Sequence, residues 1–249
     1  MEKKKVRADL LVQQKYPHLT RCQIQQQIAA ATVFINNQVV KKPGHLYDTE
    51  SEVLLTVEHP KYVSRAGFKL EAALNAWSID VSGLVCLDAG ISTGGFTDCL
   101  LQKGACKVYG IDVGHGQTHE KIAQDARVYL FEKINLRYGV VLPEPVDLIT
   151  LDLSFISVLK VIPAVLPLLK PASLLIVLIK PQFELDVDCL DRAGVVRSEN
   201  DRQKAVQKVI AGCAEHGFIL KQLIPSPMLG GDGNQEFLGL FSIGKTTSP

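Results

Sequence analysis

The chain has 249 residues, of which 27 are lysine or arginine and 26 are aspartate or glutamate, and 47% are apolar. This length and composition are typical of a globular protein with one large domain or two smaller ones, and they exclude a mainly disordered chain. The longest uninterrupted apolar run, residues 174–179, is far shorter than the roughly 20 residues that span a bilayer, and no apolar signal core follows the N-terminal lysines. We therefore expect a cytoplasmic protein without a spanning segment.

Basic residues are concentrated near the N-terminus. The first 42 residues contain two acidic side chains, Glu2 and Asp9, and the following basic ones: Lys3, Lys4, Lys5, Arg7, Lys15, Arg21, Lys41 and Lys42. A segment of this composition indicates affinity for a polyanion such as nucleic acid, although a solvated basic face has the same composition.

The spacing of cysteines and histidines predicts no metal site. The six cysteines are scattered without a Cys-x-x-Cys pair or a histidine at metal-ligand spacing, so neither a zinc site nor a disulfide framework is indicated. His115 and His119 are four residues apart, which would suit two ligands on one helical face. No third ligand is evident, and the glycines beside His115 favour a surface loop.

Short apolar segments predict a small α+β domain over residues 1–58. A helix is expected around residues 10–12, and Thr20 is suited to cap a second helix that runs to about Ala31. Strands are expected at residues 33–35, 39–40 and 53–57, with Asn36-Asn37 as the turn between the first two.

From about residue 83 the pattern changes to short apolar strands that alternate with helices. Strands are expected at residues 84–88, 108–112, 128–131, 147–152, 174–180, 218–224 and 236–243, and helices after Gly95, at 158–169 and at 202–216. This alternation predicts a Rossmann-like α/β domain with a mostly parallel sheet, and the last two strands predict an antiparallel edge. We assign this domain to residues 65–249 and the preceding residues, 59–64, to a linker.

A glycine-rich turn follows the first strand of this domain. Its spacing, Gly-x-x-x-Gly-Gly from Gly90 to Gly95, matches neither a dinucleotide fingerprint nor a P-loop. Asp112 ends the next strand, where a carboxylate can accept both hydroxyls of a ribose, and Asp88 is placed to meet an ammonium group. Together these signals indicate S-adenosylmethionine, although the glycine turn alone would also suit a tight connection. The candidate cofactor-binding residues are Asp88, Gly90, Ser92, Thr93, Gly94, Gly95, Phe96, Asp112 and Asp152.

Five segments together resemble one family. They are Ser-Arg-Ala-Gly-Phe-Lys-Leu at 64–70, Asp-Ala-Gly-Ile-Ser-Thr-Gly-Gly-Phe-Thr-Asp at 88–98, Leu-Asp-Leu-Ser-Phe-Ile-Ser at 151–157, Ile-Lys-Pro-Gln-Phe-Glu at 179–184 and Asn-Gln-Glu-Phe at 234–237. In this order they resemble the TlyA family, whose members join an RNA-binding domain to an FtsJ-like ribose 2'-O-methyltransferase, and some of which carry the label haemolysin. The resemblance covers nearly the whole chain.

The resemblance implies a catalytic tetrad of Lys69, Asp152, Lys180 and Glu236. A ribose hydroxyl is a poor nucleophile, so a positioned lysine helps as a base or as an electrostatic stabiliser. Lys180 is the candidate for this role, Asp152 would orient it near the methyl donor, and the other two residues would fix the substrate ribose. Charged residues at strand ends are also commonly solvated rims, which is the alternative interpretation of each one alone.

The N-terminal segment resembles the small RNA-binding domain of a small-subunit ribosomal protein, of pseudouridine synthases and of tyrosyl-tRNA synthetases. Ala31 and Asn37 stand where glycine is usual in that pattern. The resemblance implies phosphate contacts, for which the candidates are Arg7, Arg21, Lys41 and Lys42. Lys61-Tyr62-Val63 partly matches the Arg-x-Trp-Val linker of family members.

These observations favour an S-adenosylmethionine-dependent 2'-O-methyltransferase that acts on ribosomal RNA or ribosomal subunits. Two alternatives remain at this point: a membrane-active haemolysin, which would need a spanning or strongly amphipathic segment that the sequence lacks, and a non-catalytic RNA-binding assembly factor, against which the complete tetrad argues.

Overall fold

The computed structural model describes residues 5–17, 19–29, 31–55 and 61–243, and the chain divides into two compact units, Met1–Lys61 and Tyr62–Pro249. Several predictions lie outside the described residues. These are the ones that concern Lys3, Lys4, the end of the strand predicted at 53–57, and the start of the linker at His59-Pro60.

The first unit is a small α+β structure. Its elements in chain order are β1 (Lys5–Arg7), α1 (Ala8–Lys15), α2 (Arg21–Ala29), β2 (Val33–Ile35), β3 (Gln38–Val39), β4 (Leu46–Asp48) and β5 (Val53–Leu55). β2 pairs antiparallel with β3 and β5, and β1 pairs antiparallel with β4. Apolar side chains such as Leu11, Ile24 and Ile35 are fully or almost fully buried between the helices and the sheet.

Local chemistry explains where these elements begin and turn. Thr20 caps α2, because its hydroxyl accepts from the Gln23 amide at 3.3 Å and the Gln23 side chain accepts in return from the Thr20 amide at 2.8 Å. Asn36 and Asn37 both adopt left-handed φ angles, of 51° and 61°, in the predicted turn. Ala31 is left-handed as well, with φ 59°, at the position where the resemblance expects glycine. β1 and β4 were not expected, because their sequences, Lys-Val-Arg and Leu-Tyr-Asp, do not contain an apolar run like that of β2.

The second unit is an α/β domain. Its elements in chain order are α3 (Ala66–Ala76), β6 (Val85–Ala89), α4 (Gly95–Gln102), β7 (Lys107–Ile111), α5 (Glu120–Ala123), β8 (Val128–Phe131), β9 (Val146–Leu151), α6 (Ile162–Val165), β10 (Leu169–Ile179), α7 (Pro181–Glu184), α8 (Glu199–Glu215), β11 (Phe218–Pro225) and β12 (Phe237–Ile243). They form a seven-stranded sheet in the order β11-β12-β10-β9-β6-β7-β8. Neighbouring strands from β10 to β8 are parallel, whereas β12 runs antiparallel between β10 and β11. The predicted Rossmann-like class and antiparallel edge are confirmed.

The helix predicted at 158–169 and the predicted start of the strand at residue 174 differ from the structure. The helix expected at 158–169 is a series of short turns around α6, because Pro163 and Pro167 lack the amide donors that a continuous helix needs. β10 begins at Leu169 rather than at residue 174, and its pairing with β9 is irregular before Leu174.

Helices cover both faces of the sheet. Successive strand residues alternate between the faces, so Leu87 packs with the core beneath α6 and α8, whereas Cys86 packs with the core beneath α3 and α4. Both residues are fully buried, which explains why the central strands carry apolar side chains on both faces. In the part of the chain that the structure describes, no helix has the length and apolar character needed to cross a membrane.

The sheet topology brings the candidate functional residues to one edge. The carboxyl ends of the parallel strands β6, β7, β9 and β10 meet there. Because β12 is antiparallel, its amino-terminal end lies at the same edge and brings Glu236 to it. A site built from the ends of these strands follows from this arrangement.

Candidate active site

Gly90 lies at the centre of this edge. It adopts φ 84°, and its amide donates to the Ile111 carbonyl at 2.8 Å, which ties the turn after β6 to the end of β7. A Cβ at this position would overlap the carbonyl oxygen of Asp152. The close approach of the two backbones therefore requires glycine here.

The other two glycines of the turn permit close packing around the start of α4. Gly94 adopts φ 93° as the residue before the helix, with Ile122 against it. Gly95 lies so near Ser64 and Ala66 that a Cβ would overlap the Ser64 hydroxyl. The segment that begins α3 is thereby held beside the turn.

Asp88 lies beneath the turn rather than at its surface. It is fully buried, and its carboxylate accepts from the Thr97 amide at 3.0 Å, from the Thr97 hydroxyl at 2.7 Å and from the Thr150 hydroxyl at 2.9 Å. Burial raises the pKa of Asp88 to about 6, and the bonds from both threonines oppose this rise. In this structure the carboxylate fixes the start of α4 to β6 and β9, and the contact with an ammonium group that the sequence suggested stays a prediction.

Asp112 reaches the surface of a cavity of about 560 Å³. One of its carboxylate oxygens accepts from the Ser92 amide at 2.8 Å and the other from the Gly114 amide at 2.7 Å. Each oxygen retains a further lone pair, so the carboxylate is oriented and still able to accept two more hydrogen bonds. The cavity walls include the apolar side chains of Val113 and Ile134.

Four charged side chains form two ion pairs at the same edge. Lys69, from α3, pairs with Glu236, from the residue before β12. Lys180 follows β10 and pairs with Asp152, which follows β9, at 2.7 Å. Lys69 and Lys180 are each 9% exposed, so both ammonium groups are mostly withdrawn from water and depend on these carboxylates.

The predicted site residues lie around two adjoining cavities. The second cavity has a volume of about 240 Å³, and its lining includes Lys69, Gly90, Ser92, Thr93, Gly95, Phe96 and Asp152. Gly90, Ser92 and Asp152 line both cavities. Lys180 and Glu236 join them through their ion pairs, whereas Asp88 and Gly94 support the turn from below.

The sequence analysis assigned no role to two residues of this site, Ser154 and Phe155. Ser154 accepts a hydrogen bond from Lys180 at 3.0 Å. Phe155 is 92% exposed, lines the larger cavity, and contacts Phe183 with ring centroids 5.3 Å apart. Its φ of 64° is left-handed, which costs about 1–2 kcal/mol for such a residue. Both belong to the motif at 151–157, but spacing alone does not reveal where their side chains point.

The two histidines have separate local partners. His115 pairs with Glu132 through Nδ1 at 2.6 Å, and His119 caps α5 by accepting from the Lys121 amide at 3.2 Å. Among the described residues no group of three or more His, Cys, Asp or Glu side chains is arranged to hold a metal.

Tyr62 and Val63, which the sequence assigns to a linker, are packed into the second unit. Tyr62 is buried against Gly67, and its ring meets Phe68 edge-on at 5.1 Å. The Val63 amide donates to the buried Asp98 carboxylate at 2.9 Å.

In the first unit, two of the predicted RNA-binding residues share one partner. Arg7 and Arg21 each donate two hydrogen bonds to Asp9, whose side chain is fully buried. The Arg7 guanidinium is the main cause that lowers the pKa of Asp9 to about 2. Both guanidinium groups remain about half exposed, and Lys41 and Lys42 are exposed beyond β3.

We predict that Asp88→Asn changes how stability depends on pH. The folded pKa of about 6 lies above an unfolded value of about 3.9, so the folded protein holds a proton that the unfolded chain releases between these values. The free energy of unfolding should therefore decrease as the pH rises from 4 to 6, by on the order of 2 kcal/mol from this residue.

Asparagine should remove that contribution while keeping the fold, because its carbonyl accepts the Thr97 amide and its amino group can donate to the Thr150 hydroxyl. Urea unfolding at pH 4 and pH 6 measures the difference. Parallel pH curves for the two proteins would show that Asp88 does not titrate in this range.

Proteins of known sequence and structure resemble this chain over most of its length. Residues 62–242 match the family model described as FtsJ-like methyltransferase. A Bacillus subtilis protein, YqxC, described as a candidate rRNA methyltransferase, is 38% identical over 245 residues, which cover 96% of this chain and 86% of that protein.

A Mycobacterium tuberculosis protein named 16S/23S rRNA (cytidine-2'-O)-methyltransferase TlyA is 38% identical over 223 residues, which cover 88% of this chain and 82% of that protein. A solved structure from Streptococcus thermophilus, described as a candidate hemolysin, superposes with a TM-score of 0.75 at 36% identity and covers 98% of this chain and 90% of that one.

Proposed function

The chain belongs to the FtsJ-like methyltransferase family, and on that basis we propose that it is an S-adenosylmethionine-dependent enzyme that methylates a ribose 2'-hydroxyl of ribosomal RNA. The observation that carries this proposal is the Lys180–Asp152 ion pair, which lies at the edge where both cavities meet. The names of the Bacillus and Mycobacterium relatives support ribosomal RNA as the substrate class.

The residues around the larger cavity fit the nucleoside part of S-adenosylmethionine. The oriented Asp112 carboxylate can accept two ribose hydroxyls, and the apolar side chains of Val113 and Ile134 offer walls for a flat base. Gly90 and Ser92 would hold the remainder of the cofactor at the junction with the smaller cavity. When bound, S-adenosylmethionine supplies an electrophilic methyl group on a sulfonium.

Lys180 is suited to activate the substrate hydroxyl. Its ammonium is held by Asp152 at 2.7 Å and by Ser154 at 3.0 Å, so it has a fixed direction and one remaining donor site. At that site Lys180 would act in one of two ways. The ammonium form would donate to the ribose oxygen and stabilise the negative charge that develops there while the hydroxyl proton leaves to water, whereas the neutral amine would accept the hydroxyl proton on its lone pair. Asp152 orients the ammonium.

Lys69 and Glu236 would position the same ribose. Lys69 lines the smaller cavity beside Asp152, and Glu236 holds its ammonium from β12. An ion pair fixed by two separate elements offers both a donor and an acceptor to the hydroxyls of the substrate. Phe155 adds an exposed ring beside Ser154, on which an unstacked base can stack.

The first unit would supply RNA affinity. Two cations on one buried carboxylate leave Arg7 and Arg21 with a net positive charge and a fixed orientation, which suits phosphate binding. Lys41 and Lys42 extend the basic surface. Such contacts position the RNA without reading its sequence.

The direct test of the proposal is methyl transfer. The protein is incubated with labelled S-adenosylmethionine and ribosomal subunits from a strain that lacks the activity. We expect label in ribosomal RNA at a ribose that resists alkaline cleavage. Label that is absent, or located on a base rather than on a ribose, contradicts the proposal.

We predict that Asp112→Ala weakens S-adenosylmethionine and S-adenosylhomocysteine alike. Both ligands have the ribose, and loss of a charged hydrogen bond costs on the order of 1.5 to 3 kcal/mol. Calorimetry measures both affinities. Asp125→Ala, which removes a carboxylate that lines neither cavity, should leave them unchanged. Equal affinities in the two variants would remove Asp112 from the cofactor site.

We predict that Lys180→Met lowers the methylation rate by about 10² to 10⁴ while cofactor affinity changes little, since methionine keeps the packing of the stem but no ammonium. Lys180→Arg should fail almost as badly, because a guanidinium does not give up its proton.

The matched control is Lys170→Met. Lys170 lies near the other end of β10, where it pairs with Asp147, and its loss should leave the rate unchanged. An active Lys180→Arg variant would show that fixed positive charge suffices, and an active Lys180→Met variant would exclude Lys180 from the chemistry.

We predict that Arg21→Ala weakens RNA binding and makes the dependence of log affinity on log salt shallower by about 1, as expected when one phosphate contact is lost. Binding measured at several salt concentrations gives the slope. Gln26→Ala, on the exposed face of α2, should leave the slope unchanged because it removes no charge. A slope that Arg21→Ala does not alter would place the phosphate contacts elsewhere.

A further inference from the structure

Two short segments lie next to Lys180, one in space and one in sequence. We call residues 153–157, which follow β9 and Asp152, the β9 loop. The other segment is α7, which begins directly after Lys180. Lys180 bonds to Ser154 at 3.0 Å, and the rings of Phe155 and Phe183 are in contact. The geometry of the proposed catalytic lysine therefore depends on how the β9 loop is fixed to α7.

Glu184, the last residue of α7, makes the strongest connection between them. Its side chain is almost completely buried, with 2% of the residue exposed. One carboxylate oxygen accepts from the Ser157 hydroxyl at 2.5 Å, and the other accepts from the Val158 amide at 2.9 Å. Burial raises the pKa of Glu184, and these two bonds oppose the rise. Neither the predicted tetrad nor the cofactor residues include this carboxylate.

The Glu184 end of this connection is itself anchored in the core. The Lys208 ammonium, from α8, donates to the Glu184 carbonyl at 2.5 Å. On the loop side, Leu159 packs so closely on Gly212 of α8 that a Cβ there would overlap it. α8 therefore contacts both Glu184 itself and Leu159, the residue next to the Val158 amide that the carboxylate binds.

We propose that Glu184 is a positioning residue whose carboxylate clasps the β9 loop to α7 and so keeps Ser154 on Lys180 and Phe155 at the cavity. The inference rests on the proposed function for the part that Lys180 has in methyl transfer. The left-handed conformation of Phe155 supports this proposal, because a strained residue persists only where its surroundings fix it. Glu184 contributes to that fixation by binding Ser157 and Val158, which follow Phe155 by two and three residues.

Three variants of the full chain test this. Glu184→Ala removes both bonds. Glu184→Gln keeps a carbonyl for the Val158 amide, and its amino group can donate to the Ser157 oxygen, so it tests hydrogen bonding apart from charge. Asp147→Ala is the control: Asp147 also accepts a backbone amide, that of Val85 at 3.0 Å, but at the opposite edge of the sheet.

Two measurements are made on each variant. Hydrogen exchange reports the opening of residues 153–158, and the single-turnover methylation rate on ribosomal subunits is measured at saturating S-adenosylmethionine. We expect Glu184→Ala to exchange faster in this segment and to lose about 10-fold to 10²-fold in rate, as misplaced catalytic groups do. Glu184→Gln should recover most of both losses, and Asp147→Ala should match the unaltered protein in both.

If Glu184→Ala does not fold, Ser157→Ala replaces it. This variant removes one of the two bonds to the carboxylate, together with the bond that the Ser157 hydroxyl accepts from the Leu159 amide at 3.3 Å, and it leaves the buried carboxylate in place. Equal exchange of residues 153–158 in that variant and in Asp147→Ala, or a full methylation rate, overturns the inference. If the unaltered protein transfers no methyl group, the proposed function fails instead, and the exchange comparison still decides whether Glu184 holds the loop.

Discussion

The contact between Gly90 and the backbone of Asp152 constrains the whole candidate site. β6 and β9 are parallel neighbours, and at their carboxyl ends position 90 has no room for a side chain. The cavity with Lys69 and the cavity with Asp112 meet at this contact. A side chain at position 90 would separate the ends of β6 and β9. It would thereby change the distances from Asp152 to the residues of the glycine turn and to Asp112.

The two ion pairs near this contact carry no net charge. Lys69 with Glu236 and Lys180 with Asp152 contribute equal numbers of positive and negative groups, and burial of such pairs costs solvation that their attraction does not fully repay. The contribution of the two pairs to the free energy of folding is therefore expected to be small. Because the two pairs add no net charge, they do not attract a polyanion over a distance, so that attraction has to come from other basic residues.

The sequence predicts this site in outline because strand ends and a glycine turn are local patterns, and parallel strands align their carboxyl ends. Contacts between side chains that are distant in sequence are not local patterns. The spacing of residues therefore did not reveal that Ser154 bonds to Lys180 or that Glu184 binds Ser157 and Val158. The burial of Asp88 was not predicted, because sequence does not report depth: the residue lies near the end of a strand, where Thr97 and Thr150 bond to its carboxylate. The helix predicted at 158–169 was wrong for another reason: its apolar pattern is continuous, but Pro163 and Pro167 interrupt the backbone hydrogen bonds of a helix.

The antiparallel direction of β12 has a consequence for the synthesis of the protein. Lys69 and its partner Glu236 are 167 residues apart, and β12 inserts between β10 and β11. During translation Lys69, Asp152 and Lys180 are therefore made before Glu236, and the sheet retains a gap between β10 and β11 until β12 fills it. A chain that stops before β12 therefore has neither the closed sheet nor the Lys69–Glu236 ion pair, and the candidate site stays incomplete until β12 has folded between its two neighbours.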